Sequence, residues 1–318
     1  MDKFFYNNKE LAMDKGSLLC AIINVTPDSF SDGGEFFGKD KAVERAMEMV
    51  EAGAQWLDIG AESTRPGSTY VEIQEEIDRA IPVIEEIKKR TDVPLSIDTW
   101  KAPVAQAAIE AGVDIINDIT GLMGDPDMAR VVGQSDAGYI LMFNPVIARP
   151  DNPGSKIFPK FGDNPFSQED LKRFESMDII DLMDEYFSRG LAMAEKAGIG
   201  KKRIMLDPGI GFGMTRKENL EIFRAFDKYE DYFTFVGVSR KRFVVATMEE
   251  AGFNMDADTE QGYHNRDLAS SYLTSLAALK GANVLRVHDV RDHMMANIMG
   301  NAVRMADDQA DENLKQYK

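Results

Sequence analysis

Polar side chains recur at or just beyond the carboxyl ends of short apolar segments in this sequence. They are Asn24, Asp58, Glu62, Asp98, Asn117, Asp207, Lys241, Arg286 and His288. Asp98, Asn117 and Asp207 have the amide and carboxylate groups that pair with the hydrogen-bonding edge of an amide- or guanidine-like heterocycle. This part of the set therefore indicates a site for a polar ring.

Three other members of the set are suited to binding an anion. Lys241 follows one segment, and Arg286 and His288 lie two residues apart, so that they face the same side of a strand. A single polar residue in such a place can simply start a turn or cap the next helix, which is the interpretation we prefer for Asp118 and Asp289. Their recurrence along the chain favours a shared site.

The segments that must position these groups alternate with stretches of helical period. Strands are predicted at 18–24, 56–60, 94–98, 115–118, 138–142, 204–207, 233–237 and 283–287. Helices are predicted near 40–52, 72–90, 101–111, 126–134, 168–198, 217–229, 262–281 and 290–307. Eight strand–helix repeats predict an α/β fold, a single (β/α)8 TIM barrel. Its active site is expected at the carboxyl ends of the strands.

The barrel is expected to occupy the chain as one domain, 1–318. Residues 1–16 form an N-terminal extension, and 306–318 form a polar tail. Two long loops, 144–168 and 247–261, interrupt the repeat without the character of domain linkers, since the strand–helix pattern resumes after each. Their roles stay open.

Composition limits the partners of this protein. The formal net charge is −17, from 54 acidic and 37 basic residues, whereas nucleic acids and anionic membranes are bound through basic surfaces. We therefore expect small-molecule substrates, no nucleic acid and no membrane. The one cysteine, Cys20, allows no intrachain disulfide, which predicts a reducing compartment and a cytoplasmic location.

Several of the loops that follow the predicted strands contain specific motifs. In chain order they read INVTPDSFSDGG, DIGAESTRPGS, SIDTWK, INDITG, LDPGIGFG, VGVSRK and LRVHDV, and together they span residues 20 to 290. The combination resembles the dihydropteroate synthase family of pterin-binding barrels. That family joins 6-hydroxymethyl-7,8-dihydropterin diphosphate to p-aminobenzoate, which yields 7,8-dihydropteroate and diphosphate. The resemblance therefore implies a folate-pathway transferase that is a sulfonamide target.

The resemblance also implies roles for individual residues. The pterin ring is expected to contact Asp98, Asn117, Met142, Asp207, Phe212, Gly237 and Lys241. The diphosphate is expected to contact Asn24, Arg286 and His288, with Asn24 acting through Mg²⁺. The p-aminobenzoate pocket is expected to contain Phe30, Thr64, Arg65, Pro66, Ser239 and Arg242. The expected catalytic residues are Asn24, Lys241, Arg286 and His288, and loops 26–34 and 63–68 would close over the site.

The sequence departs from the family pattern at three positions. Phe143 stands where a histidine is usual, and Met214 stands where a lysine commonly follows the GFG phrase. Arg242 replaces a small residue that typically helps to bind the aminobenzoate carboxylate. An arginine can bind a carboxylate or crowd the pocket, so that sulfonamide susceptibility stays open.

Two alternatives remain at this point. A pterin-dependent methyltransferase domain shares the barrel but needs no diphosphate site, so that Arg286, His288 and the INVTPDSFSDGG and STRPG loops favour the synthase. A non-catalytic pterin-binding paralogue is compatible with the three departures. An aldolase is weaker, because no inward strand lysine suits a Schiff base. The family is usually a homodimer through its last helices, and the apolar face of 268–280 is compatible with this.

Overall fold

Eight parallel strands close into a barrel in the computed structural model, which describes residues 2–25 and 35–310. The barrel consists of β3 to β10, and β1 and β2 form a separate two-stranded sheet. The strands of the described residues in chain order are β1 (Lys3–Tyr6), β2 (Lys9–Ala12), β3 (Leu18–Asn24), β4 (Trp56–Gly60), β5 (Leu95–Asp98), β6 (Ile115–Asp118), β7 (Gly138–Met142), β8 (Ile204–Asp207), β9 (Phe233–Gly237) and β10 (Val284–Val287). Neighbours follow chain order from β3 to β10, and β10 pairs with β3 to complete the ring. The predicted TIM barrel is confirmed, and its strands lie within one residue of their predicted positions.

The helices lie between the barrel strands and cover them. They are α1 (Glu35–Glu51), α2 (Ile73–Lys88), α3 (Ala102–Glu110), α4 (Met128–Gly133), α5 (Pro145–Ala148), α6 (Gln168–Phe174), α7 (Ile179–Lys196), α8 (Arg216–Ala225), α9 (Arg242–Glu250), α10 (Glu260–Leu279) and α11 (Val290–Arg304). No helix within 2–25 and 35–310 is long and apolar enough to cross a membrane.

The predicted helix over 168–198 is in fact two helices. The α6 helix begins with a capping box in which Ser167 and Asp170 satisfy each other's backbone N–H groups. A new N-cap follows at Asp178, whose carboxylate accepts a hydrogen bond from the N–H of Ile180 at 2.9 Å. The apolar period continues through the break, and for that reason periodicity alone predicted one helix.

A hairpin of β1 and β2 closes the amino end of the barrel, where the sequence indicated only an extension. Phe4 is fully buried there, and its ring lies 6.4 Å from Trp56 and 6.0 Å from Phe233, measured between ring centroids. This contact excludes water from the bottom of the barrel.

Inward positions change from apolar to polar along the strands. The amino half of the barrel interior is filled by Cys20, Trp56, Ile115, Ile140, Met205, Phe233, Phe235 and Val284. Side chains two residues further along a strand point the same way, and at that level stand Asp58, Asn117, Met142, Asp207, Gly237 and Arg286. An apolar floor thus supports a polar layer at the carboxyl end.

Candidate active site

Asp58 on β4 is the centre of a buried hydrogen-bond network. Its Oδ1 accepts a hydrogen bond from Ser96, whose Oγ in turn accepts one from Trp56 Nε1 at 2.8 Å. Its Oδ2 accepts hydrogen bonds from Asn117 Nδ2 at 3.1 Å and from Arg286 Nε at 2.6 Å. The Asp58 side chain is fully buried, and these bonds offset the cost of removing its charge from water.

Arg286 joins this network to the barrel mouth. Its Nη2 donates to Asp98 Oδ2 at 2.6 Å, so that one guanidinium on β10 links carboxylates on β4 and β5. Burial raises the pKa of Asp98 to about 7, against the opposing influence of Arg286. The two ion pairs hold the inward groups of three strands in fixed positions.

Asp98, Asn117 and Asp207 form what we call the amide-carboxylate wall. Because Nδ2 of Asn117 donates to Asp58, its buried Oδ1 faces away from that bond, and Oδ1 has no hydrogen-bond partner among the described residues. Asp207 Oδ1 accepts from the N–H of Gly209 at 2.8 Å, and burial raises the pKa of Asp207 to about 6. The wall thus presents acceptors from β5, β6 and β8 to the mouth of the barrel.

Lys241 lies over the loop that follows β8. A Cβ atom placed on Gly211 would come within 2.7 Å of Lys241 Cδ, and the backbone of Gly211 has φ +96°, so that only glycine suits this position. The Lys241 ammonium lies 5.2 Å from the centroid of the Phe212 ring. Burial lowers the pKa of Lys241 to about 8, against the raising influence of Asp207.

His288 is held between Ser239 and Arg65. Its Nδ1 lies 3.0 Å from Ser239 Oγ, and its Nε2 lies 3.3 Å from Arg65 Nη2. A guanidinium can only donate, so that Nε2 must be the acceptor and Nδ1 must have the proton. Burial, with the cations around it, holds the pKa of His288 well below its ordinary value, which agrees with a neutral ring.

Arg65, Lys241 and Arg286 form what we call the cationic wall. These three cations lie at the barrel mouth of a protein whose net charge is −17, and Arg286 is paired there with Asp58 and Asp98. Neutral His288 contributes no charge of its own, and its Nε2 accepts a hydrogen bond from Arg65. Arg65 was expected only in the aminobenzoate pocket, and the structure places it against His288, one of the expected diphosphate residues.

The remaining predicted residues lie around these two walls. Met142 is buried at the end of β7, and Gly237 lies beside Arg286, whose Cβ would be 4.0 Å from an added Cβ. Thr64 is half-buried and Pro66 is exposed in the loop after β4, while Arg242 is exposed at the start of α9. Phe30 and the rest of loop 26–34 lie outside the described residues.

The departures at 143 and 214 place apolar side chains in or against the core, although the Phe143 N–H donates to the carbonyl of Asp207 at 2.8 Å. Phe143 is fully buried, and its ring packs edge-on against Tyr186 of α7 at 5.4 Å between centroids. Met214 is half-buried against the core. Phe143 therefore packs in the core at the position where the family usually has a histidine.

Lys101, in the SIDTWK motif, has no role that the resemblance implies. Its buried ammonium lies 2.9 Å from Glu62 Oε1, 2.8 Å from Glu76 Oε2 and 4.1 Å from the centroid of the Tyr70 ring. Glu62 also accepts from the N–H of Val71 at 2.9 Å. Lys101 thus fixes both ends of the loop that contains Arg65.

Asp58, Ser96 and Lys101 are functional candidates that the sequence did not assign. Asp58 gave a signal, because a carboxylate in the middle of an apolar strand needs a partner. Its partner Arg286 is 228 residues away along the chain, so that only barrel closure reveals the pair.

Asn24 is the expected Mg²⁺ ligand. It is exposed at the end of β3, and its Oδ1 would be 3.8 Å from a Cβ added to Gly60. The described residues contain no cluster of three histidine, cysteine or acidic side chains able to hold a metal alone. One protein oxygen fits an ion that takes most of its ligands from substrate phosphates and water, as Mg²⁺ does.

Comparison with known proteins gives consistent matches over most of the chain. Residues 20–288 match the family described as "Pterin binding enzyme". Dihydropteroate synthase from Bacillus subtilis is 38% identical over 283 residues, which is 88% of this chain and 86% of that protein. The enzyme from Streptococcus pyogenes serotype M6 is 34% identical over 284 residues, which is 89% of this chain and 94% of that protein.

Solved structures are similar as well. The dihydropteroate synthase of Clostridium difficile, crystallised in the presence of pteroic acid, gives a TM-score of 0.75 at 36% identity, over 91% of this chain and 97% of that one. The enzyme of Xanthomonas albilineans with 4-aminobenzoic acid gives 0.77 at 32% identity, over 95% of this chain and 98% of that one.

Proposed function

Because this chain belongs to the dihydropteroate synthase family of pterin-binding enzymes, we propose that its barrel mouth catalyses the reaction of that family. The enzyme transfers the pterin methylene group of 6-hydroxymethyl-7,8-dihydropterin diphosphate to the amine of p-aminobenzoate. The products are 7,8-dihydropteroate and diphosphate, and the reaction belongs to folate biosynthesis.

The observation that supports this function most strongly is the junction made by Arg286. The Arg286 side chain belongs to the cationic wall. It also contacts Asp98 of the amide-carboxylate wall and Asp58, which accepts a hydrogen bond from Asn117 of that wall. A substrate with a polar ring at one end and a diphosphate at the other matches this arrangement. A methyltransferase needs the first half only.

The amide-carboxylate wall is assigned to the pterin. Asp98 and Asp207 accept hydrogen bonds from the ring's amino and N–H groups, and Asn117 Oδ1 adds a third acceptor. Met142 lies beside this wall and packs on the ring face, with Phe212 and Gly237 at its edge. Lys241 supplies a cation within reach of both the ring and the departing group.

The cationic wall is assigned to the diphosphate. As the bond between the methylene carbon and the diphosphate oxygen breaks, negative charge grows on the leaving group, and Arg65, Lys241 and Arg286 stabilise it. We assign Mg²⁺ to Asn24 and the substrate phosphates, where the ion would neutralise further leaving-group charge. The electron-rich pterin stabilises the positive charge left on the methylene carbon.

The amine of p-aminobenzoate then forms the new carbon–nitrogen bond and afterwards loses a proton to the released diphosphate. The aryl amine needs no deprotonation before it attacks, so that we propose a dissociative substitution without a general base. Loops 26–34 and 63–68 are assigned to excluding water, which would compete with the weakly basic amine. A rate that rises with acceptor nucleophilicity as steeply as in a concerted displacement would contradict this mechanism.

The aminobenzoate pocket is assigned to Phe30, Thr64, Pro66, Ser239 and Arg242. Ser239 is buried beneath His288, and Arg242 opens α9, where helix N–H groups and a guanidinium can both receive a carboxylate. Sulfonamides resemble this substrate, and their binding would depend on the same residues.

We assign a homodimeric assembly through α10 and α11. Large apolar side chains are exposed on both helices: Tyr272, Leu276, Leu279, Met295, Ile298, Met299 and Val303. The two helices pack closely, with Gly300 against the backbone of Ser275, so that the patches adjoin. Sedimentation equilibrium should give twice the chain mass, and Met299→Glu should shift the protein toward monomer.

A cytoplasmic location is assigned from cysteine usage. Cys20 is free and fully buried, and burial raises the pKa of its thiol. Fractionation of the native host should place the enzyme with cytoplasmic markers.

The function is tested by following both products. The purified protein with Mg²⁺, the pterin diphosphate and p-aminobenzoate should release diphosphate and dihydropteroate in equal amounts. Arg286→Lys keeps the charge but cannot make both carboxylate contacts, and it should lose most of the turnover. With both substrates present, diphosphate release without a matching amount of dihydropteroate would contradict the proposal.

A further inference from the structure

Loop 149–166 follows the short helix α5 and crosses the barrel mouth. Buried contacts fix it at several points. Arg149 is 3% exposed, and its Nη1 lies 2.7 Å from Glu218 Oε1 of α8. Phe161 is buried, with its ring edge-on to Trp100 at 6.2 Å between centroids. Asn164 Nδ2 donates to the carbonyl of Ile147 at 2.7 Å.

The backbone of loop 149–166 also packs directly on a neighbouring loop. A Cβ atom added to Gly154 would lie 2.8 Å from the carbonyl oxygen of Gly213, in the loop that follows β8. Together with the buried Arg149 ion pair, this close approach indicates a fixed element of the mouth rather than a freely moving lid.

Two adjacent residues at the middle of the loop connect opposite sides of the site. The carbonyl of Ile157 accepts a hydrogen bond at 3.0 Å from the N–H of Gly67, which lies in the Arg65 loop. The ring of Phe158 stacks on Phe212, with 5.5 Å between centroids and 28° between planes. The Lys241 ammonium also lies near Phe212, 5.2 Å from the centroid of its ring.

We propose that Phe158, with Phe212, forms an aromatic wall of the pocket for the aryl amine, and that it limits which acceptors enter. This rests on the proposed function. The space between the Arg65 loop and the start of α9 is the acceptor side, and residues 157–158 bridge the Arg65 loop and the ring beside Lys241. Both rings are half-buried, so that each keeps exposed surface at the mouth. A planar aromatic amine can pack on such a surface.

The test compares Phe158→Ala with Ile157→Ala in the full chain. Ile157 is the matched control, because it is in the same loop, its side chain is 42% exposed and its bridging carbonyl is retained. Phe158→Ala should raise the KM for p-aminobenzoate about tenfold, since an aromatic pair contributes this much. The KM for the pterin diphosphate and kcat at saturation should stay within about twofold. In Phe158→Ala, the KM for ring-substituted acceptors should rise less than the KM for p-aminobenzoate does.

Phe158→Leu is the control for a folding defect in Phe158→Ala. It keeps apolar bulk, and an intermediate KM for p-aminobenzoate is expected from it. The inference is overturned if both Phe158 variants fold and keep the wild-type KM, or if Ile157→Ala has the same effect. In either case wild-type turnover leaves the proposed function intact. A wild-type protein that makes no dihydropteroate would overturn the function and this inference with it.

Discussion

Replacing Asp58 by asparagine tests how the amide-carboxylate wall is positioned. Asp58 touches no substrate in our assignment, and it acts by holding Asn117. Its Oδ2 accepts from Asn117 Nδ2 at 3.1 Å, which leaves Asn117 Oδ1 free as an acceptor. Asparagine has the same shape, but its amide can donate to Oδ1 and let the Asn117 side chain flip. The substitution therefore removes a charge and a fixed orientation without creating a cavity.

The expected magnitude follows from the bonds that change. Arg286 keeps its 2.6 Å contact with Asp98, so that only one of its two charged partners is lost. A hydrogen bond to a charged group contributes about 1 kcal/mol more than a neutral one, and we expect the free energy of unfolding to fall by about 1–2 kcal/mol. Losing one fixed acceptor should cost pterin binding a similar amount, which corresponds to a roughly five- to thirtyfold weaker affinity.

The assay is calorimetric binding of 6-hydroxymethylpterin. This ligand lacks the diphosphate, so that its affinity depends on the amide-carboxylate wall alone. A double-mutant cycle with Asn117→Ala isolates the route of the effect. Because Asp58 acts through Asn117, Asp58→Asn should have little further effect in the Asn117→Ala background. The reasoning is refuted if pterin affinity is unchanged in Asp58→Asn, or if the two substitutions are fully additive.

Three further predictions concern pH, the Arg65 loop and inhibitors. Burial raises the pKa of Asp98 to about 7 and of Asp207 to about 6, so that the stability they contribute is present below about pH 4 and lost as pH rises through 6 to 7. Pterin affinity should rise over that same range, and denaturant unfolding and calorimetry at pH 5 and 8 check this. Asp98→Asn should reduce the change in both quantities and leave the part due to Asp207. Stability and pterin affinity that rise or fall together between pH 5 and 8 would count against this prediction. Lys101→Met leaves two buried carboxylates without their cation and should lower the free energy of unfolding by about 3–5 kcal/mol. The KM for p-aminobenzoate should rise more than the KM for the pterin diphosphate. Equal rises in the two KM values would show a general loss of structure. Arg242→Ser should tighten sulfonamide inhibition, measured as KI, because it frees the start of α9; unchanged or weaker inhibition removes that idea.

The sequence predicted much of this molecule because its barrel repeats one local pattern. Each strand is a short apolar run, and the polar residue at its end marks the level of the site, so that Asp98, Asn117, Asp207 and Arg286 could be identified without coordinates. The closed ring then had to bring them together, since the carboxyl ends of parallel strands share one edge.

Pairings between distant segments could not be predicted. Nothing in the spacing of Asp58 and Arg286 shows that β10 and β4 lie on either side of β3 in the closed ring, where their inward side chains meet. The bond from Gly67 to Ile157 joins two loops whose sequences predict only turns. Asp178 begins a new helix inside a continuous apolar period, and there a local cap prevails over the periodic signal.

One pocket at the barrel mouth is expected to contain both the amide-carboxylate wall and the cationic wall. Competition calorimetry tests it directly, with 6-hydroxymethylpterin, inorganic pyrophosphate with Mg²⁺, and their covalent conjugate as ligands of one protein sample. We predict that the conjugate binds more tightly than either fragment and displaces both. A conjugate that leaves either fragment bound would show that the two walls belong to separate pockets.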